Sequence, residues 1–200
     1  MSTPLTDRFD TVVWQYLMLS LYGFKRRIVK NGQDSPDADS VSDSEILIIS
    51  PWISDIENKK MKLRLPLADM VSQVVGREMK SLTILLIELA RAGAKVGLMT
   101  APLDHPYKRD FNEYQKSKER EMLERLSKRG VQIRLSETNH AKIISTPVGV
   151  MSGSANITDN GFYKNTEMMT LVPRKEGGFG SFRERSTDIW YEGRQSFIRP

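Results

Sequence analysis

From residue 45 onward the chain alternates short, uniformly apolar runs with longer stretches in which apolar residues recur every three or four positions. Ile46-Leu47-Ile48-Ile49 is too short for a helix and too apolar for a surface strand, so 45–50 reads as a buried strand ended by Ser50-Pro51-Trp52. Ser81 caps a helix through Ala92 that Gly93 closes, and Lys95 to Thr100 returns as a strand. Phe111 to Arg129 is a charged helix ended by Gly130, with Tyr114, Met122, Leu123 and Leu126 inward, and Val131 to Leu135 is the next strand. His140 and Lys142 open a β-branched run that Thr146-Pro147-Val148-Gly149 turns back, which predicts a hairpin with Val148 to Ser152 as its second arm. A short helix over 158–165, a strand over 166–172, a loose Gly177-Gly178-Phe179-Gly180 segment and a helix around Ser186 to Tyr191 follow. The order β-α-β-α-β-β-β-α-β-α predicts an α/β protein with a mixed sheet flanked by helices.

The first 44 residues read differently. Thr6 to Val29 is a helix capped by Thr6, with Phe9, Val12, Val13, Tyr16, Leu17 and Leu21 on a wide apolar face that must be covered. Its own domain, a second copy, a partner protein and a membrane surface are all candidates. Residues 31–44, with Asp34, Asp37, Asp39 and Asp43 among Ser, Gly and Pro, form an acidic linker or loop. The division is thus 1–30, 31–44 and 45–200. Within the last part, Lys59, Lys60, Lys62 and Arg64 make a basic patch, by default a solvated loop.

Charge refines this picture. Asp7 and Asp10 precede the apolar stretch 12–24 and Lys25-Arg26-Arg27 follow it, the reverse of a secretory leader. Gln15 and Ser20 interrupt the stretch, which is too short to span a bilayer. A cytoplasmic protein without a transmembrane segment is expected. The sequence has no Cys, which excludes disulfides and thiolate metal sites, and its net charge of +5 leans towards an anionic partner.

Candidate chemistry gathers between His140 and Glu167. Strand alternation puts His140 and Lys142 on one face, and the hairpin brings Gly153, Ser154 and Asn156 to the same end. A neutral imidazole attacks phosphorus or carries a proton, Lys142 supplies a point charge, and Asn156 and Ser154 donate to non-bridging oxygens. Gly153 allows close backbone approach. Glu167, beyond Asn165, is expected to accept from the far ring nitrogen of His140 and fix its tautomer. The other histidine, His105, lies in Asp104-His105-Pro106-Tyr107-Lys108 and makes no second His-x-Lys; it reads as solvent-exposed or as part of a substrate-contacting loop.

This run resembles the phospholipase D superfamily, whose signature is His-x-Lys, a later Asp, Gly-Ser-x-Asn or Gly-Ser-x-x-Asn, and then Asn-x-Glu. His140, Lys142, Gly153, Ser154, Asn156, Asn165 and Glu167 match; the motif Asp does not, with Pro147 in its place. In the family that Asp mostly supports the turn, so its loss bears on local geometry. The resemblance covers roughly 45–191 and implies a phospholipase D-like α/β sandwich, and Ser50-Pro51-Trp52-Ile53 looks like the end of its first strand. Trp52 itself reads as a core or rim aromatic, or as bordering the cleft.

The family brings two His-x-Lys motifs together, one histidine forming a phosphohistidine and the other protonating the leaving oxygen. One motif per chain therefore implies a homodimer with a composite site. The resulting expectation is a metal-independent phosphodiesterase without a cofactor, acting on nucleic acid, with DNA favoured over RNA. Nine Lys and Arg against six acids between Ala101 and Ser136 support an anionic polymer. Two alternatives remain: a degenerate nucleic-acid-binding or assembly subunit of a multi-protein, for instance defence, system that uses the N-terminal helix for protein contacts, and a phospholipid phosphodiesterase.

Overall fold

The structure, a computed structural model, describes residues 3–5, 9–30, 44–57 and 79–195. The cap at Thr6, nearly all of the 31–44 linker and the basic patch at 59–64 lie outside the described residues. In chain order the elements are β1 (Thr3–Leu5), α1 (Phe9–Lys30), β2 (Glu45–Ile49), α2 (Leu82–Arg91), β3 (Lys95–Thr100), α3 (Glu113–Ser127), β4 (Gln132–Leu135), β5 (Ile143–Thr146), β6 (Gly149–Gly153), α4 (Asp159–Tyr163), β7 (Met169–Pro173), α5 (Phe179–Glu192) and β8 (Arg194–Gln195). From β2 to α5 this is the predicted order. The strands form one mixed sheet, β1-β7-β6-β5-β2-β3-β4-β8, in which β2, β3 and β4 run parallel and the other pairs antiparallel.

Alternation along the central strand sorts the core into two layers. Ile46 and Ile48 pack on one face with Val96, Leu98, Ile133 and Ile144, beneath α1, α2 and α3. Leu47 and Ile49 pack on the other with Met99, Ile143, Val150 and Trp190 of α5. Trp190 reaches the sheet because β3 carries Gly97, where a Cβ would stand 2.8 Å from the indole. The side chain at 97 must be absent for α5 to seat there.

The N-terminal helix covers its apolar face on this same core. Val13, Trp14, Leu17, Met18, Leu21 and Phe24 are all buried in the first layer. Beside it, β1 adds an edge strand to β7 that sequence patterning missed, because three residues show no period. No helix among the described residues is long and apolar enough to cross a membrane.

Capping follows the sequence closely. Ile84 N donates to Ser81 Oγ at 3.4 Å at the start of α2, and Gly93 and Gly130 close α2 and α3 at φ +86° and +88°. Asn112 and Gln115 form a reciprocal capping box that starts α3 after Phe111. Two expectations fail. Tyr114 is 70% exposed rather than inward, because the buried stripe of α3 runs through Glu119, Met122, Leu123 and Leu126, and at about 100° per residue Tyr114 stands more than a right angle from it. The last helix begins at Phe179, inside the glycine-rich segment, where the buried Arg183 ties its first turns to Ser145 Oγ and Glu45 O.

Candidate active site

Loops at the carboxyl ends of the parallel strands meet at one edge of the sheet. Ala101 N donates to Pro51 O at 3.2 Å and Ser136 N to Thr100 O at 3.0 Å, which joins the loops after β2, β3 and β4. The open end of the β5–β6 hairpin arrives at the same edge, and Gly153 N donates to Lys142 O at 3.2 Å just beyond the paired strands. Crevices at such edges are where α/β folds gather ligands.

The predicted hairpin forms, but β5 starts only at Ile143. His140 and Lys142 lie ahead of it, where Asn139 Oδ1 accepts from Ala141 N at 3.0 Å and bends the chain. They nevertheless meet: Lys142 Nζ stands 2.9 Å from His140 Nδ1 and 2.8 Å from His140 O. With Nδ1 accepting from the ammonium, the neutral imidazole carries its proton on Nε2. His140 is exposed and Lys142 is buried. Burial pushes the lysine's pKa down, and the nearby charge of Glu167 pulls it partly back.

The turn that lacks the motif Asp has another support. Thr146 Oγ1 donates to Gly149 O at 2.9 Å and accepts from Val148 N and Gly149 N at 3.3 and 3.2 Å, so one buried hydroxyl organises the Pro147-Val148 turn. The resemblance left this geometry in question, and the neighbouring residue holds it.

Ser154 and Glu167 form a tight unit. Ser154 Oγ lies 2.5 Å from Glu167 Oε2, Met168 N donates to Ser154 Oγ at 3.0 Å, and Asn165 Nδ2 donates to Glu167 Oε1 at 3.1 Å. Gly153 must be glycine, since a Cβ there would collide with Met168 O. Both oxygens of Glu167 are thus engaged, and the described contacts include no bond from Glu167 to His140. The charge of the carboxylate acts on Lys142 instead.

The backbone next to Asn156 is set by Ser50, a residue whose site role sequence reasoning missed. Ser50 Oγ donates to Trp52 O at 2.7 Å and accepts from Ile157 N at 3.2 Å, with Asn156 Oδ1 3.4 Å away, and Ser54 N donates to Ile157 O at 2.9 Å.

The loop after β3 brings the second histidine close without making it a second catalytic group. His105 Nδ1 accepts from Tyr107 N at 3.2 Å while Nε2 faces Glu137 O at 2.8 Å, so both ring nitrogens are engaged and the ring is half-buried. It packs on Tyr107 at 4.5 Å, and Tyr107 meets His140 edge-on at 5.3 Å and 87°. A fully buried ion pair anchors this loop: Lys108 Nζ lies 2.6 Å from Glu119 Oε1 and donates to Ala101 O at 2.6 Å. The signal for it was present, because Glu119 shares the 3–4 spacing of Met122, Leu123 and Leu126. Burial pushes Lys108 down and Glu119 up, and each charge holds the other back.

With this geometry in view, residues 68–178 match a family described as cardiolipin synthase, PLD-like domain, over more than half of the chain. The chain belongs to the phospholipase D-like family. Nuc, a phospholipase D family member from Salmonella typhimurium, superposes at a TM-score of 0.53 and 13% identity, covering 98% of this chain and 99% of that one. NucT from Helicobacter pylori matches at 0.52 and 10%, with the same coverage. Polyphosphate kinase from Porphyromonas gingivalis matches at 0.51 and 15%, over 100% of this chain but 27% of that one. At these identities the likeness is one of fold. A search of curated proteins finds no match. The phospholipase D-like assignment makes the chain a phosphodiesterase at the level of the superfamily, and the α/β sandwich with its mixed sheet is the architecture that the resemblance implied.

Proposed function

We propose that the protein is a metal-independent nuclease working through a phosphohistidine in a composite homodimeric site. The observation that carries this reading is the His140–Lys142 pair, with an exposed imidazole and a buried ammonium 2.9 Å apart beside Gly153, Ser154 and Asn156. A phosphate arriving there draws Lys142 from Nδ1 and accepts from the Asn156 amide. The imidazole proton then moves to Nδ1, and Nε2 attacks phosphorus while the bond to the leaving oxygen breaks. Afterwards water attacks phosphorus and the P–N bond breaks.

The leaving oxygen needs a proton as Nε2 attacks, and one imidazole cannot meet both needs. His105 is a poor second acid because both of its nitrogens are engaged. Two-fold pairing supplies another His140, and the exposed Tyr107 and Met168 beside the site offer apolar surface for it. The reading includes a cytoplasmic setting, and DNA as substrate fits the nine Lys and Arg against six acids between Ala101 and Ser136.

Mixing wild-type and His140→Ala chains tests this. After verified subunit exchange, activity in chelator should fall as the square of the wild-type fraction, and His140→Ala alone should lose about 10³-fold or more. A linear fall rejects the shared site, and a requirement for added Mg²⁺ rejects the covalent scheme.

A further inference from the structure

Two histidines occur in the sequence, and the one outside the His-x-Lys motif stands between the segments that border the other. His105 is half-buried at the head of the single helical turn Pro106–Lys108, in the loop after β3. Its Nδ1 accepts from Tyr107 N at 3.2 Å, so the ring caps that turn as an Asn or Ser side chain caps a helix. Its Nε2 stands 2.8 Å from Glu137 O, in the loop after β4. A carbonyl only accepts, so Nε2 carries the ring proton and Nδ1 the lone pair. Two bonds of opposite polarity thereby select one neutral tautomer. A second ring proton would go to Nδ1, set one N–H against another at Tyr107 and leave the bond to Glu137 O in place.

Both bonds lead towards His140. Glu137 precedes the bend at Asn139, which has side-chain bonds of its own: Asn139 N donates to Ser136 Oγ at 3.1 Å and Ala141 N to Asn139 Oδ1 at 3.0 Å. Tyr107 is less secured, since it is 48% exposed and takes its direction from the turn that carries it. The buried Lys108 fixes the far end of that turn and the His105 cap fixes the near end. The Tyr107 ring lies 4.5 Å from His105 and meets His140 edge-on at 5.3 Å. Around His105 the charged groups are Asp104, Lys108 and Arg109 on its own loop and Glu137 opposite, with His140 and Lys142 beyond Tyr107. Lys108 is committed to Glu119, and Asp104, Arg109 and Glu137 are exposed.

We propose that His105 is a positioning residue that holds Tyr107 against His140, and that it does so only as the neutral tautomer with its proton on Nε2. Its effect on rate rests on the phosphodiesterase reading, whereas the clasp itself is read by NMR without turnover. In isotope-labelled protein with His140→Ala the one remaining imidazole is His105. Its ring nitrogens should show the proton on Nε2, and on acidification the Tyr107 amide resonance should move together with them. With His105→Asn added, whose amide caps without titrating, the Tyr107 amide should hold its place as pH falls. In protein with His105→Ala alone, the His140 ring resonances should shift in the direction that Tyr107→Ala produces, because both withdraw the same ring. A proton on Nδ1, a Tyr107 amide that ignores the ring's titration, or His140 resonances that answer to Tyr107→Ala but not to His105→Ala overturns the proposal.

Hydrolysis of bis-p-nitrophenyl phosphate is measured separately. His105→Ala should lower kcat about 2–10-fold at nearly constant KM, the scale of one lost aromatic contact, and His105→Asn should recover most of the loss. His105→Ala should add nothing to Tyr107→Ala, since both act through one contact. Rescue by His105→Gln alone, whose longer amide reaches Glu137 O and not Tyr107 N, moves the role to the other bond and overturns the proposal, as do an unchanged kcat and a further loss in the double variant. The expected resonances without hydrolysis keep the clasp and remove the nuclease, and hydrolysis with the wrong tautomer does the reverse.

Discussion

Two lysines lie buried within the same edge of this fold, and they are employed in opposite ways. Lys108 is 0% exposed and spends its charge on Glu119 Oε1 and Ala101 O, both at 2.6 Å. Lys142 is 8% exposed and, among the described residues, bonds to a ring nitrogen and a carbonyl, with Glu167 acting on it through space. Burial lowers the pKa of both. Only Lys108 has a carboxylate in contact, so it is a finished structural joint. Lys142 is a desolvated cation still short of an anion, and the energy of that shortfall is available to a phosphate.

The largest effects should separate the two. Lys108→Met leaves Glu119 buried and unpaired and should cost about 3–5 kcal/mol, seen as a fall of roughly 10 °C in melting temperature. Lys142→Met should leave the melting temperature nearly unchanged and lower kcat/KM by about 10²–10³-fold. Pairing Lys108→Met with Glu119→Leu should recover most of the lost stability, since an apolar pair removes the orphaned charge. A destabilised Lys142→Met protein, or a Lys108→Met protein of normal stability and no activity, would reverse the two assignments.

A smaller effect concerns pH. A lysine with a lowered pKa binds fewer protons when folded than when unfolded. Its burial cost is therefore present below the folded pKa and is relieved as pH rises through it towards 10.5. Activity runs the other way, because the grip on phosphate needs the ammonium. The alkaline fall in rate should begin below 10.5, and Glu167→Gln, which removes the charge that holds the pKa up, should move it to lower pH. In Lys142→Arg whatever activity remains should lose this limb, because a guanidinium does not titrate there. A limb unmoved in both variants would assign it to another group.

The unequal fates of these lysines also mark what the sequence could convey. The order of elements along the chain from Glu45 to Tyr191, the helix ends at Ser81, Gly93 and Gly130, and the candidate cluster of His140, Lys142, Gly153, Ser154, Asn156 and Glu167 all follow from period, caps and motif spacing, which are local signals. Contacts between distant segments left no such trace. Nothing local shows that Ser50 ties down Ile157 beside Asn156, that Glu167 turns to Ser154 and Asn165, or that the loop at 105–108 folds back onto His140. Thr146 shows the same limit in reverse: the missing Asp was visible, and the hydroxyl beside it became a support only once the turn had closed.

The smallest effect tests whether the Lys108 joint serves the Lys142 site at all. Lys108 ends the short helical turn Pro106–Lys108, which puts Tyr107 edge-on to His140 at 5.3 Å, so the ion pair holds in place the ring that limits the imidazole's rotation. Tyr107 is a positioning residue in this view. An aromatic pair of this kind is worth about 0.5–1.5 kcal/mol, and Tyr107→Ala should reduce kcat by about 2–10-fold with little change in KM. Tyr107→Phe should restore the rate because the edge contact needs the ring and not the hydroxyl. A rise in KM at constant kcat would make Tyr107 a substrate contact instead, and failure of the phenylalanine to rescue would give the role to its hydroxyl.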